Sequence, residues 1–148
     1  SIDDPKTFKG ELSLEEIEKL TKSYGKSLLN VNFTGGEPFA RKDIVDIAKL
    51  YIKNTTIQSI FITTNGSLPE RVEDFVKEIV EFDKDIEIGI QVSIDDFPEN
   101  HNKVRKINNL FNSCLETYFR VKKYGPKVNS SASITVTSEN CGNIKEIF

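Results

Sequence analysis

The chain has 148 residues, 37% of them hydrophobic, which is enough for one globular domain with a core and too short for two of ordinary size. Its 20 Lys and Arg and 23 Asp and Glu are interspersed and leave a net charge of -3, so no basic stripe draws in a phosphate backbone, which argues against nucleic acid as a direct partner. No apolar run approaches the ~20 residues that span a bilayer, the opening Ser1-Ile2-Asp3-Asp4-Pro5 lacks the features of a signal peptide, and Cys114 and Cys141 sit at no zinc or disulfide spacing; a soluble cytoplasmic protein with no membrane partner is expected.

In chain order, Ser13 and Glu16 form a capping box before a helix over Leu14 to Tyr24, with Leu14, Ile17, Leu20 and Tyr24 on one face. Asn30 to Thr34 alternates as a short strand and runs into Gly35-Gly36-Glu37-Pro38. A helix with Ile44, Ile47, Ala48 and Tyr51 inward comes after it. The pattern repeats with a strand over Ser59 to Thr63, a turn at Asn65-Gly66, and a helix from Pro69 bearing Val72, Phe75, Val76 and Ile79. Next come a strand over Glu87 to Ile94, a polar loop from Asp95 to about Asn102, and one long helix bearing Val104, Ile107, Phe111, Cys114 and Tyr118, ended by Gly125-Pro126. A fourth strand spans Val128 to Val136, and another helix begins after Gly142-Asn143.

Strand starts at 30, 59, 87 and 128 are spaced for strand-helix crossovers and not for hairpins, so the sheet is expected to be parallel. Periodicity alone permits a barrel or an open doubly wound sheet. There is no internal domain boundary. The polar opening and the absence of methionine point to an excerpt from a longer polypeptide.

In a parallel sheet all carboxyl ends of strands lie on one rim, and the loops leaving it build ligand sites. The unusual residues fall there. Gly35-Gly36-Glu37-Pro38 reads either as a tight turn or as a ligand cradle. Glu37 and the lack of a P-loop lysine oppose a phosphate. Two glycines with exposed carbonyls and one carboxylate offer acceptors to an ammonium group instead. Ser93 and Arg105 offer the complementary donors to a carboxylate, against their plainer readings as a strand-end cap and a solvated helix charge. Together the two sets would grip a zwitterion, and Glu37, Ser93 and Arg105 are expected to face one cavity. Asn65-Gly66 leads into a helix and so is not a hairpin turn. Asp95, Thr64 and Asn65 either bond ribose hydroxyls or stabilise their own turns. His101, without a partner at metal spacing, reads as a solvated loop residue. Cys114 reads as a small core hydrophobe and Cys141 as a turn residue; no metal ligand is assigned.

Phe33-Thr34-Gly35-Gly36-Glu37-Pro38, then Thr63-Thr64-Asn65-Gly66, then Val92-Ser93-Ile94-Asp95, with His101 to Arg105 downstream, resembles the radical S-adenosylmethionine (SAM) superfamily. The order is most similar to the branch with the molybdenum-cofactor cyclase and the anaerobic sulfatase-maturating enzymes. The resemblance implies an α/β fold, part of a (β/α)6 partial TIM barrel of parallel strands. Residues 1–148 would form a partial core domain holding about strands two to five, without the first strand and the cluster loop. It assigns Gly35, Gly36, Glu37 and Pro38 to the amino group of SAM and Ser93 and Arg105 to its carboxylate. Thr64, Asn65, Asp95 and Thr135 go to ribose and adenine. It also implies a 4Fe-4S cluster whose three cysteine ligands are absent from this chain, reductive cleavage of SAM to a 5'-deoxyadenosyl radical, and hydrogen abstraction from a peptide or small-molecule substrate. An electron donor such as flavodoxin or ferredoxin would be needed. Alternatives are a non-catalytic binding or scaffold relative that has lost the cluster, and a flavodoxin-like nucleotide-binding domain.

Overall fold

A computed structural model of the chain describes residues 10–147; the polar opening expected at residues 1–5 lies outside them. Four strands, β1 (Asn30–Phe33), β2 (Ser59–Thr64), β3 (Glu87–Ser93) and β4 (Val128–Ser133), form one sheet in the order β1-β2-β3-β4, and every pairing is parallel. Helices α1 (Leu14–Tyr24), α2 (Ile44–Asn54), α3 (Pro69–Phe82), α4 (Pro98–Arg105), α5 (Leu110–Lys122) and α6 (Ile144–Ile147) connect or flank them. This is an α/β architecture wound in one sense, as in a partial TIM barrel.

Local chemistry explains the elements. The Ser13 N–H donates to the Glu16 carboxylate at 2.8 Å and the Glu16 N–H to Ser13 Oγ at 3.3 Å, closing the expected capping box of α1. Ile17 is buried there, whereas Tyr24, expected inward, is exposed. Pro69 opens α3, where its missing N–H costs nothing, and Val72, Phe75, Val76 and Ile79 of that helix are fully buried. They pack on Ile60, Ile62, Ile88, Ile90 and Val92, the alternate residues that β2 and β3 turn to the helices. Truncating Phe75 to alanine in such a core costs about 3–5 kcal/mol.

The opposite sheet face is open and polar. In one cross-strand row Asn32, Phe61, Gly89 and Asn129 are register partners, and a Cβ on Gly89 would lie 2.4 Å from the Phe61 ring. Glycine at 89 therefore lets the half-exposed Phe61 ring lie flat across β3.

Three expectations need correction. The single long helix is two: α4 starts inside the expected polar loop because Pro98 supplies a first helical turn, and the chain breaks at Lys106 and Asn109, both left-handed. In consequence Val104 and Ile107 are exposed and belong to no apolar face. β4 stops at Ser133 and does not reach Val136, since the Thr135 N–H turns away from the ladder to the Asp95 carboxylate at 3.1 Å.

Candidate functional site

The rim at the carboxyl ends of the strands carries two separate polar clusters. Beyond β1, Gly35 has φ of +126°, a conformation that side chains disfavour, and no atom lies within 4 Å of a Cβ on Gly35 or Gly36. Both backbones are thus open to an approaching group. Glu37 then turns its carboxylate inward. Its Oε1 accepts from the Phe39 N–H at 3.1 Å and the Thr64 hydroxyl at 2.9 Å, and its Oε2 accepts from the Asn65 N–H at 2.7 Å. The side chain caps the short 3-10 turn Pro38–Ala40 and ties it to the end of β2. Thr64 is buried and also accepts from the Gly66 N–H at 3.0 Å, while Asn65 Oδ1 accepts from the Ser67 N–H at 2.8 Å. Gly66, at φ +73°, passes so close to α5 that a Cβ would be 2.9 Å from the Cys114 Cα.

At the ends of β3 and β4, Asp95 plays a similar bridging part with a different partner. Its Oδ2 accepts from Arg105 Nε at 2.8 Å in an ion pair, and its Oδ1 accepts from the Thr135 N–H. The buried Asn140 donates through Nδ2 to the carbonyls of Asp95 (2.7 Å) and Thr135 (2.8 Å), holding the β4 exit in place. Ser93, half-buried on the open face of the sheet, makes no side-chain hydrogen bond among the described residues. Its hydroxyl remains available to a ligand.

Among the described residues the two clusters line different cavities. Gly36, Glu37 and Pro38 line a cavity of about 540 Å³ that runs back between α1 and α2, whereas Asp95, Arg105 and Thr135 line another of about 330 Å³; Ser93 lines neither. Neither of these cavities brings Glu37, Ser93 and Arg105 together, and a ligand touching both clusters would bridge the rim. Between them lies Cys114, fully buried, near enough to Arg105, Asp95 and Glu37 to feel all three charges.

The histidine needs correction as well. His101 is fully buried in α4, not solvated in a loop, because Pro98 starts the helix early and points it under the rim. Phe97-Pro98-Glu99, a proline with an acid in a first helical turn, is the signal that could have placed it. Two further residues escape sequence reasoning. Arg71 of α3 donates to the carbonyls of Ala40 (3.3 Å) and Arg41 (3.0 Å), anchoring the segment after Glu37, and Asn140 braces Asp95. Arg71 carries no local signal, since its partners are 30 or more residues away; Asn140 also bonds locally, to the Thr135 carbonyl and the Thr137 N–H, but its link to Asp95 spans 45 positions.

The chemistry of the donors and acceptors fits the amino acid end of SAM: open glycine backbone and a carboxylate on one side, a hydroxyl and a guanidinium on the other. It does not fit an iron-sulfur cluster. Among the described residues no group of three or more His, Cys, Asp or Glu is placed to hold a metal ion; Cys114 is buried and Cys141 lies apart, on the turn before α6. No helix among the described residues is long and apolar enough to cross a membrane.

Comparison with known proteins gives the same direction. The family model of the radical SAM superfamily matches residues 4–148. The chain is 30% identical over 147 residues to the Fe-coproporphyrin III synthase of Methanosarcina barkeri, a match covering 95% of this chain and 33% of that protein. It is 43% identical over 61 residues to the GTP 3',8-cyclase of Cronobacter sakazakii, covering 40% of this chain and 18% of that protein. The chain thus spans a third or less of these curated relatives.

Proposed function

The chain belongs to the radical SAM superfamily, and from that premise we propose that its strand-end rim binds SAM as part of a longer radical SAM enzyme. Gly35, Gly36, Glu37 and Pro38 take the amino group, and Ser93 and Arg105 take the carboxylate. Asn65, Asp95 and Thr135 lie toward the ribose and adenine. Thr64, whose buried hydroxyl is committed to Glu37 and Gly66, acts by holding Glu37 in place. In the complete enzyme a 4Fe-4S cluster would supply the electron that cleaves SAM to methionine and a 5'-deoxyadenosyl radical for hydrogen abstraction. The cluster ligands lie outside the described residues. The electron comes from a donor such as flavodoxin or ferredoxin, and the substrate is a peptide or small molecule.

One observation carries this reading. Glu37 is held by neutral donors alone among the described residues, while Arg105, a third exposed, and the Ser93 hydroxyl stand across the rim at the β3 end. One rim thus presents a carboxylate without a cationic partner at one end, and a hydroxyl with the N–H groups that Arg105 does not spend on Asp95 at the other, as the two ends of a zwitterion require.

Calorimetry on the full-length protein with SAM and with decarboxylated SAM tests it. SAM is expected to bind more tightly, by about tenfold or more for a charge-assisted hydrogen bond, and Arg105→Ala is expected to abolish the preference. Equal binding of both ligands by the native protein would overturn the carboxylate assignment. Anaerobic reconstitution with an assay for 5'-deoxyadenosine separates the enzyme from a non-catalytic relative that binds SAM and leaves it intact.

A further inference from the structure

Beneath the rim, the side chains of His101 and Cys114 form a directed chain of hydrogen bonds that the proposed binding roles do not use. The Asp95 N–H donates to His101 Nδ1 at 3.2 Å, so that nitrogen is unprotonated and the ring proton of the neutral imidazole sits on Nε2. Nε2 faces Cys114 Sγ at 3.6 Å, and Cys114 in turn donates its S–H to the Asn65 carbonyl at 3.1 Å. Each link pairs a donor with an acceptor, and the thiol has the Ser93 carbonyl at 3.8 Å as a second, longer acceptor. The chain joins the end of β3 to the end of β2 through one residue of α4 and one of α5, and both of these side chains are fully buried.

We infer that His101 is a positioning residue for SAM: in its Nε2–H form, and through Cys114, it locks the backbone of Asp95 to that of Asn65 and so fixes the distance between the two halves of the rim. The inference rests on the reading of the rim as a SAM site. Burial alone asks for a partner at each nitrogen; the inference rests on where those partners lie, the Asp95 backbone at the end of β3 and, through Cys114, the Asn65 backbone at the end of β2.

The lock has only one protonation state in which it closes. A second ring proton would point Nδ1–H at the Asp95 N–H, donor against donor. Burial lowers the basicity of His101 below the ordinary 6.5, and the charges that face it are Asp95 and Asp96 from the loop before α4 and Arg105 from α4 itself. From α5 it meets the Cys114 thiol, which burial pushes up to about 11 and so keeps protonated, and the Phe111 ring edge-on at 6.1 Å. Glu139 lines the cavity on its far side. The neutral imidazole is the folded form, and its protonation at acid pH opens the lock.

The test uses the full-length protein with His101→Asn, whose Oδ1 stands in for Nδ1 and cannot titrate, and His101→Phe, which fills the space and leaves the Asp95 N–H without a partner. SAM affinity is measured by calorimetry between pH 4.5 and 7.5, with the asparagine variant as the control for every other titrating group. The native protein is expected to keep its affinity through the ordinary imidazole value of 6.5 and to lose it further into acid, because burial holds the ring neutral. The asparagine variant is expected to lie within about threefold of it at pH 7.5 with no acid loss, and the phenylalanine variant to be weaker by about tenfold at every pH. An acid loss that persists in the asparagine variant, or native-like binding by a folded phenylalanine variant, would overturn the inference. Should the native protein not bind SAM at all, the proposed function fails, and the lock is judged by hydrogen exchange instead. Loosening of residues 64–68 together with 93–97 in the phenylalanine variant and not in the asparagine variant supports it; loosening confined to α4 refutes it. If the phenylalanine variant does not fold, Cys114→Ala, which breaks the second link, replaces it in both measurements.

Discussion

The two halves of the rim are built around two carboxylates with the same mechanical task and opposite electrostatics. Glu37 ties the end of β1 to the end of β2 with a hydroxyl and two backbone N–H groups, so its negative charge meets no cation among the described residues. Asp95 ties β3 to β4 with one backbone N–H and the Arg105 guanidinium, so charge is balanced inside the pair. A neutral-donor clamp leaves a field for a cation to enter. A balanced pair offers a carboxylate only what Arg105 can share, because Nε and Nη2 both already face Asp95 Oδ2 and only the remaining N–H groups of the fork are left over. The amino end of a zwitterion is thus attracted, and the carboxylate end is shared with Asp95.

The strongest way to break the first half is steric. Gly66→Ala places a methyl group 2.9 Å from the α5 backbone in a left-handed conformation, and we expect it to cost about 3 kcal/mol in denaturant unfolding. Gly36→Ala, with open space around it and no positive φ, should stay within about 0.5 kcal/mol and so separate backbone crowding from general sensitivity of the rim.

Glu37→Gln sharpens the electrostatic side of the comparison. One oxygen survives, but the new amide nitrogen faces the Asn65 N–H, for an expected loss of about 2 kcal/mol in stability. SAM affinity measured by calorimetry should fall further than stability alone explains, since the ammonium loses its counter-charge. Asp95→Asn is the matching change across the rim. The pair it breaks is only partly buried, so the expected cost is smaller, about 1 kcal/mol by thermal unfolding. A larger loss than for Glu37→Gln would invert the comparison.

A third carboxylate, on the helical side, serves as reference: its contribution is complete at neutral pH and is lost only in acid. Glu73 of α3 accepts from Arg120 at 2.7 Å, near the end of α5, and from Lys123 at 2.6 Å and Tyr124 at 2.9 Å just beyond that helix. These partners, Lys123 foremost, hold its carboxyl down at about 2. A carboxyl with a lowered folded value stabilises fully above the unfolded value of 4.5 and loses that contribution as pH falls toward 2. Acid unfolding of native and Glu73→Gln protein should therefore converge between pH 4.5 and 2, with the variant showing the shallower slope.

Much of the rim is legible in the chain, and the places where it is not are instructive. Alternation in Ser59–Thr64 and Glu87–Ser93, the proline at 69 and the capping box at 13 and 16 each act over a few residues, so the strand ends fall where the motifs are. Helix α4 is hidden because its eight residues carry no apolar stripe: Pro98 to Asn102 reads as polar loop and Val104 and Arg105 as the start of a longer helix, and only the burial of His101 against α5 gives α4 an inside. Cys114 reads correctly as buried, yet its bond to the Asn65 carbonyl spans 49 positions and has no trace in either neighbourhood.

Periodicity and turn chemistry are short-ranged, so the amino-acid order was enough to set the direction of the strands, the crossovers between them and the chemical character of each strand end. Packing in three dimensions was needed to choose which polar atoms meet: that Glu37 is clamped by neutral donors, that Asp95 holds Arg105, and that an apparently solvated histidine lies buried between two loops. A hydrogen bond is settled within a few ångströms in space, and the residues that share one here stand as far as 51 positions apart along the chain.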